Sequence, residues 1–207
     1  MSNIIDIEKT GLPVVERFYS LQGEGYNTGK AAFFIRLAGC DVGCSWCDSK
    51  NSWNRSVHPL VPIGEIVADV IRHKAEYVVI TGGEPLMHSL NGLCTLLKRS
   101  NLKIFLETSG SHPFSGVFDW ICLSPKRGNP PLSDIYKRAS ELKVVITGAE
   151  DFPWAEENRL LVTEGCKLYL QPEWNIVNTI LPEIVRYIEE NPQWMLSLQT
   201  HKFINIQ

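Results

Sequence analysis

The sequence contains no apolar run long enough to span a bilayer. Its opening, MSNIIDIEKTGLPVVERF, has neither the apolar core of a secretory signal nor the Arg-rich amphipathic pattern of a transit peptide. A cytoplasmic protein without membrane contact is therefore expected. Basic runs are absent too: Lys and Arg are scattered, the formal net charge is -3, and no stripe forms that could track phosphates, so nucleic-acid binding is not expected. There is no internal repeat, low-complexity tract or linker, and 207 residues of which 44% are hydrophobic suit one domain over residues 1–207. Cysteine is sparse. Six thiols in a reducing compartment, in a chain large enough to fold without staples, do not suggest a disulfide framework.

Three of the cysteines stand apart. Cys94 lies in a helical pattern, Cys122 in the run WICLSP and Cys166 ahead of another apolar run, so each reads as a small buried hydrophobe without chemistry. What the sequence does have is a series of short apolar runs rich in β-branched and aromatic residues. They are AFFIRLAG from Ala32, YVVIT from Tyr77, KIFLET from Lys103, WICLS from Trp120, KVVIT from Lys143, KLYLQ from Lys167 and MLSLQ from Met195. Continuous rather than alternating, they suit a parallel sheet buried on both faces. Helical patterns lie between several of them. Ile63, Ile66, Val67, Val70 and Ile71 make one stripe over 63–74; further helices are expected over 90–99, over 134–142 with Ser133 as N-cap, and over 176–190, ending near Pro192. Strands alternating with helices imply right-handed βα units and an α/β fold, as an open sheet or a barrel. Residues 108–119 are short and broken by Gly110, Pro113 and Gly116, which leaves little room for a crossover helix. A partial, trimmed TIM-like barrel of mostly parallel strands tolerates that.

Each run ends in a small or polar turn: Gly39-Cys40, Thr81-Gly82-Gly83-Glu84-Pro85, Glu107-Thr108-Ser109-Gly110, Ser124-Pro125-Lys126, Thr147-Gly148, Gln171-Pro172 and Gln199-Thr200-His201-Lys202. The C-terminal strand ends of a parallel α/β fold share the face that carries the active site, so these turns are expected to converge. The other three cysteines crowd into GCDVGCSWCD. Spaced C-x3-C-x2-C, the thiolates of Cys40, Cys44 and Cys47 can each ligate one iron of a [4Fe-4S] cubane and leave the fourth iron open. Zinc would seek a fourth protein ligand, and the nearest histidine downstream, His58, lies at a spacing that common zinc modules do not use. A redox pair of Cys44 and Cys47 leaves Cys40 unexplained.

The cysteine loop, with Trp46 before its last cysteine and a GGEP loop from Gly82, resembles the radical S-adenosylmethionine (SAM) superfamily. The resemblance implies that the open iron chelates SAM, and that one electron from the cluster cleaves it to methionine and a 5′-deoxyadenosyl radical. It places Trp46 near the adenine with Cys47 and Asp48 beside it, and makes Gly82, Gly83 and Glu84 backbone and carboxylate partners of the SAM amino group. Without the resemblance, Trp46 reads as a cover for the loop and the glycines as a tight turn at positive φ.

The likeness extends along almost the whole chain. SLQGEG from Ser20, FIRLAGC from Phe34, WCDSK from Trp46, VITGGEP from Val79, LETSG from Leu106, SPK from Ser124, LQP from Leu170 and LSLQTHKFINI from Leu196 are similar to the 7-carboxy-7-deazaguanine synthase family. That implies a lyase turning 6-carboxy-5,6,7,8-tetrahydropterin into 7-carboxy-7-deazaguanine and ammonia, on the route to queuosine. Position by position, it implies that Leu21, Gln22, Gly23, Arg36 and Thr81 meet the pterin, as does the terminal residue, Gln207, where the family often has proline. It adds Ser124, Pro125, Lys126, Gln171, Pro172, Glu173 and Trp174 to the SAM site. It also implies Mg²⁺ on Ser49, where threonine is commonest; a hard cation takes oxygen ligands, so serine can serve. Read alone, Arg36 is an edge surface residue, Lys126 a solvated lysine and Ser49 a turn cap. His201 and Lys202 receive no role, and no protein general base emerges.

The resemblance further implies a flavodoxin or ferredoxin as electron donor, and a homodimer. Two other readings share the cysteines. A glycyl-radical activating enzyme has the same loop but no reason for SLQGEG or QTHKFINI. A zinc-binding scaffold would use the thiols structurally.

Overall fold

The computed structural model describes residues 4–207; residues 1–3, at the start of the opening segment and of the expected domain, lie outside the described residues. Helix α1 (Ile4–Lys9) precedes β1 (Gly11–Leu21), β2 (Ala31–Leu37), β3 (Leu60–Pro62), α2 (Ile63–Arg72), β4 (Tyr77–Gly82), α3 (Asn91–Arg99), β5 (Lys103–Thr108) and β6 (Trp120–Leu123). Then come α4 (Ser133–Tyr136), β7 (Glu141–Ile146), α5 (Asp151–Arg159), β8 (Lys167–Pro172), α6 (Val177–Glu190), β9 (Met195–Leu196) and α7 (Thr200–Phe203). Among the described residues one sheet joins nine strands in the order β3-β1-β2-β4-β5-β6-β7-β8-β9. Every neighbouring pair from β2 to β9 is parallel. β1 is antiparallel to both β2 and β3. The sheet ends at β3 and β9, which do not pair, so the barrel is partial and open. No described helix is long and apolar enough to cross a membrane.

All the expected strands are present, and their continuous hydrophobicity has a simple cause. Side chains alternate between two buried faces. Phe33, Ile35, Val78, Ile80, Ile104, Leu106, Leu142 and Val144 join the main core with Ile63, Ile66, Val67 and Val70 of α2. The alternate residues Ala32, Phe34, Val79 and Phe105 form a second apolar cluster. Each such buried Val, Leu, Ile or Phe side chain contributes about 1.5–3 kcal/mol. Two residues further along each strand this second face turns polar: Phe34 gives way to Arg36, Val79 to Thr81, and Phe105 to Glu107. An apolar floor thus leads to a polar mouth at the C-terminal strand ends.

Several local expectations change. Ile71 is 53% exposed and leaves the stripe of α2, which stops at Arg72. The helix expected over 134–142 shrinks to Ser133–Tyr136, with Leu132 and not Ser133 at its N-cap, because Glu141 and Leu142 pair with β6 and β8 as part of β7. Strands β1 and β3 and helices α1, α5 and α7 are additional. The connection from β5 to β6 carries no helix, as its glycines and proline imply. Cys94, Cys122 and Cys166 are all buried.

Candidate functional site

The strand ends converge on a cavity of about 290 Å³. Its lining includes Cys40, Cys44 and Cys47 together with Leu21, Gln22, Gly23, Arg36, Thr81 and Gln207. Trp46, Asp48, Ser49, Gly82, Gly83, Ser124, Lys126, Gln171, Pro172, Glu173 and Trp174 also reach it. Of the residues expected from sequence, Glu84 and Pro125 alone are outside this lining.

The cysteine loop suits a thiolate-held cluster. Its three thiols are free and half-buried. Backbone N–H groups of Val42 and Gly43 face Cys40, and that of Ser49 donates to Sγ of Cys47 at 3.4 Å. Such donors stabilise thiolates and tune a cluster. Burial pushes the thiols of Cys40 and Cys44 up, and the Lys126 ammonium pulls Cys44 back. Among the described residues no three His, Cys, Asp or Glu side chains converge tightly enough for one ion. A mononuclear zinc site would gather its sulfurs at about 2.3 Å from a single point, whereas a cubane spreads one thiolate to each iron. The donor set therefore fits the cluster.

Beside it, Gly82 and Gly83 are required by proximity and not by positive φ, which neither adopts. A Cβ on Gly82 would lie 2.3 Å from the Leu37 carbonyl oxygen, and one on Gly83 2.6 Å from Cβ of Cys40. The Glu84 N–H donates to the Gly39 carbonyl at 2.8 Å, so this loop is stitched to the cluster loop. The Glu84 side chain departs from expectation. It is 1% exposed, and its carboxylate accepts the Leu86 N–H (2.9 Å), the Thr108 hydroxyl (2.6 Å), and both the N–H (2.8 Å) and hydroxyl (2.5 Å) of Ser109. With its four acceptor positions filled, no lone pair remains for a SAM ammonium. Lys126 is no solvated lysine: its ammonium donates to the Ser124 carbonyl (2.6 Å) and hydroxyl (2.7 Å) and stands 5.5 Å from the Trp46 ring centroid. Burial pulls that ammonium down.

The cavity lining also holds a charge cluster that sequence reading missed. Lys143, 4% exposed at its side chain, donates to Oε2 of Glu24 at 2.5 Å and to Oε2 of Glu107 at 3.0 Å. Gln22 donates to the other Glu107 oxygen at 3.1 Å, and Gln199 to the other Glu24 oxygen at 2.8 Å. Burial alone would raise the Glu24 carboxyl, yet the charge and bonds of Lys143 and Gln199 hold it at about 2. Burial likewise opposes the Lys143 charge, but Cys122, Glu107, Glu24 and Glu141 around it hold its ammonium well above the ordinary value. The available signal was period two: Glu107 and Lys143 fall on the inner face of strands otherwise read as wholly apolar. Glu141, two residues before Lys143, is pushed up by burial and by Glu107. It anchors the LQGEGY loop by accepting the Tyr26 N–H at 3.1 Å, while Gly25, at φ +63°, leaves room that a Cβ would take from it.

Arg36 sits on β2, between β1 and β4, so it is not an edge residue. It donates to Glu16 at 2.6 Å and reaches the Ser49 hydroxyl at 3.4 Å. Ser49 does not cap the turn that follows it; its hydroxyl lies 3.2 Å from Oδ1 of Asp48. The chain end returns to the same place: the Ser20 hydroxyl donates to the Gln207 main-chain oxygen at 2.5 Å, and the Gln207 amide to Glu16 at 2.9 Å. His201, also in the lining, is pulled down by burial.

Residues 34–152 match the Radical SAM superfamily. The chain is 48% identical over 195 residues to the 7-carboxy-7-deazaguanine synthase of Flavobacterium psychrophilum, covering 94% of this chain and 92% of that protein. It is also 48% identical over 207 residues to the synthase of the same name from Synechocystis sp., covering 100% of this chain and 99% of that one. The crystal structure of QueE from Escherichia coli superposes with a TM-score of 0.80 at 31% identity, over 97% of this chain and 99% of that chain. The likeness thus spans both the cysteine loop and the segments at the two ends that complete the cavity, and the chain belongs to the radical SAM superfamily and, within it, to the 7-carboxy-7-deazaguanine synthase family.

Proposed function

We propose that this chain converts 6-carboxy-5,6,7,8-tetrahydropterin into 7-carboxy-7-deazaguanine with loss of ammonia, on the route to queuosine and related 7-deazapurines. The observation that carries this reading is the shared cavity: the residues assigned to the pterin and the three cysteines line one space. Cys40, Cys44 and Cys47 hold the [4Fe-4S] cluster. With SAM bound beside it, the cluster would supply one-electron radical chemistry able to remove a hydrogen atom from the substrate.

The protein's own work is placement. Arg36, with a rigid fork of donors, faces the substrate carboxylate. Glu24 and Glu107 share a single Lys143, so this wall keeps negative charge for N–H groups of the heterocycle. Gln22, Gly23, Leu21 and Thr81 shape the pterin side, with Gln207 closing it. Gly82, Gly83, Ser124, Lys126 and the 171–174 segment shape the SAM side beside Trp46. Mg²⁺ is assigned to the Ser49 hydroxyl, with the substrate carboxylate and water completing its octahedron; there it would orient the carboxylate. A flavodoxin or ferredoxin is the electron donor, a reducing cytoplasm suits the three half-buried thiols, and a homodimer is the assembly of the family. The test is direct: cluster-loaded protein is incubated with SAM, reductant, Mg²⁺ and the carboxytetrahydropterin, and the deazapurine is sought by mass spectrometry. Iron and sulfide without product would refute the substrate while leaving the superfamily chemistry standing.

A further inference from the structure

Lys202 lies on α7, outside the cavity lining, yet it is the centre of a set of contacts that reach the cavity from two sides. Its ammonium donates to Oδ2 of Asp48 at 2.5 Å and to Oε1 of Gln199 at 3.1 Å, and stands 5.1 Å from the centroid of the Trp174 ring. An ammonium has three N–H donors. Here two make hydrogen bonds, and the charge also faces an aromatic ring. Asp48 follows Cys47 directly, Trp174 follows β8, and both line the cavity. Gln199 carries the link onward, donating from one amide nitrogen to Asp48 at 3.3 Å and to Glu24 at 2.8 Å.

The segment that bears Lys202 is itself fixed. The N–H and hydroxyl of Thr200 both donate to the Gly23 carbonyl at 2.9 Å, and Phe203 packs edge-on against Trp174 with ring centroids 5.1 Å apart. A lone ion pair with a partner as exposed as Asp48 contributes little, because solvent screens it and two side chains lose freedom. Lys202 differs in being 20% exposed, with three partners that fix its position.

We infer that Lys202 is a positioning residue of the cofactor pocket: through Asp48 it sets the exit of the cluster loop, and through Trp174 it sets the loop after β8. This rests on the reading that SAM binds at the cluster, and it does not depend on the identity of the substrate. The test titrates SAM into the reduced, cluster-loaded chain without pterin and follows the cluster's electron paramagnetic resonance spectrum.

Lys202→Met is expected to retain wild-type iron and sulfide but to need about fivefold more SAM, the scale of one partly exposed ion pair. Asp48→Asn should act alike, and the double variant should be no worse than the larger single effect, because both break one link. Lys202→Arg keeps the charge and stacks on a ring, so it should return to within about twofold of wild type. An unchanged SAM requirement in Lys202→Met, or single effects that multiply in the double variant, overturns the inference. So does a lowered melting temperature in Lys202→Met that Lys202→Arg does not restore, since that marks a tail that merely helps folding. A wild-type cluster whose spectrum ignores SAM would instead overturn the cofactor reading on which the inference stands.

Discussion

Thr108 donates its hydroxyl to Glu84 across 2.6 Å, and so ties the end of β5 to the loop after β4. With Ser109 adding two more donors to the same carboxylate and the Glu84 N–H held by Gly39, three strand-end loops meet at one buried side chain. Glu84→Ala would strand these donors in a dry site, where each unpaired group costs about 1–3 kcal/mol, non-additively. A loss of about 3–5 kcal/mol is expected in urea unfolding, from several such neutral donors left unpaired together. Glu84→Gln should also destabilise, since its NH₂ must face existing donors. A variant of normal stability with weakened SAM binding would show that the carboxylate serves the cofactor directly.

Lys143 and Glu24 predict how stability varies with pH. The Glu24 carboxyl is held at about 2 against an ordinary value of 4.5. A depressed carboxyl stabilises the fold above its unfolded value and loses that contribution as pH falls through its folded value. The wild-type chain should therefore lose about 3 kcal/mol from this group between about pH 4.5 and 2. In Lys143→Met the stabilising cation is gone and burial raises the carboxyl, so the sign reverses: the variant should be weaker by about 3–5 kcal/mol at pH 7 and recover part of the difference as Glu24 is protonated. Urea midpoints at pH 3, 5 and 7 distinguish the two; parallel profiles would exclude the coupling.

These two carboxylates also mark what the sequence could and could not disclose. The cysteine loop and the seven parallel strands were legible because their signals are local: ligand spacing, and runs such as KVVIT bounded by turns. β1 was not, since GLPVVERFYSL is interrupted by Pro13, Glu16 and Arg17. Its polar residues find partners only in three dimensions, with Arg17 pairing to Glu65 and Asp69 of α2. The helix expected over 134–142 lost its second half to β7 because pairing on both sides outweighs local propensity. Residues that act through distant partners escaped altogether. Nothing near Glu84 in the chain says that Thr108 and Ser109 will take up its carboxylate, and nothing near Lys143 says that Glu24 will lie against it.

Ser49 tests the Mg²⁺ assignment. Its hydroxyl lies between Oδ1 of Asp48 at 3.2 Å and the Arg36 guanidinium at 3.4 Å. Ser49→Ala removes one hard oxygen without disturbing the thiolates. Product formation should then need about tenfold more Mg²⁺ or beyond, while SAM cleavage changes far less, and Ser49→Thr should retain the wild-type response. Product formation measured against Mg²⁺ concentration reads this out, and an unchanged curve for Ser49→Ala would remove the metal from this position.

Gly23 offers a test of how the tail and the substrate loop fit together. A Cβ there would lie 2.1 Å from Nδ1, 2.7 Å from Cγ and 2.8 Å from Cβ of His201. Rotating the imidazole relieves the first two contacts but not the last, so the tail backbone itself must retreat. That motion would strain the bonds from Thr200 to the Gly23 carbonyl and draw Gln199 away from Glu24. Because Gly23 has no positive φ, alanine adds no backbone strain of its own, and the overpacking cost should be about 1–3 kcal/mol. The effect on turnover should be larger than on stability: the substrate KM is expected to rise at least tenfold, with iron content unchanged, because the cysteine loop does not touch this contact. His201→Gly introduced into Gly23→Ala removes all three clashing atoms and should recover much of the lost stability. If the double variant is no more stable than Gly23→Ala, the close packing of these two residues is not what holds the tail over the cavity.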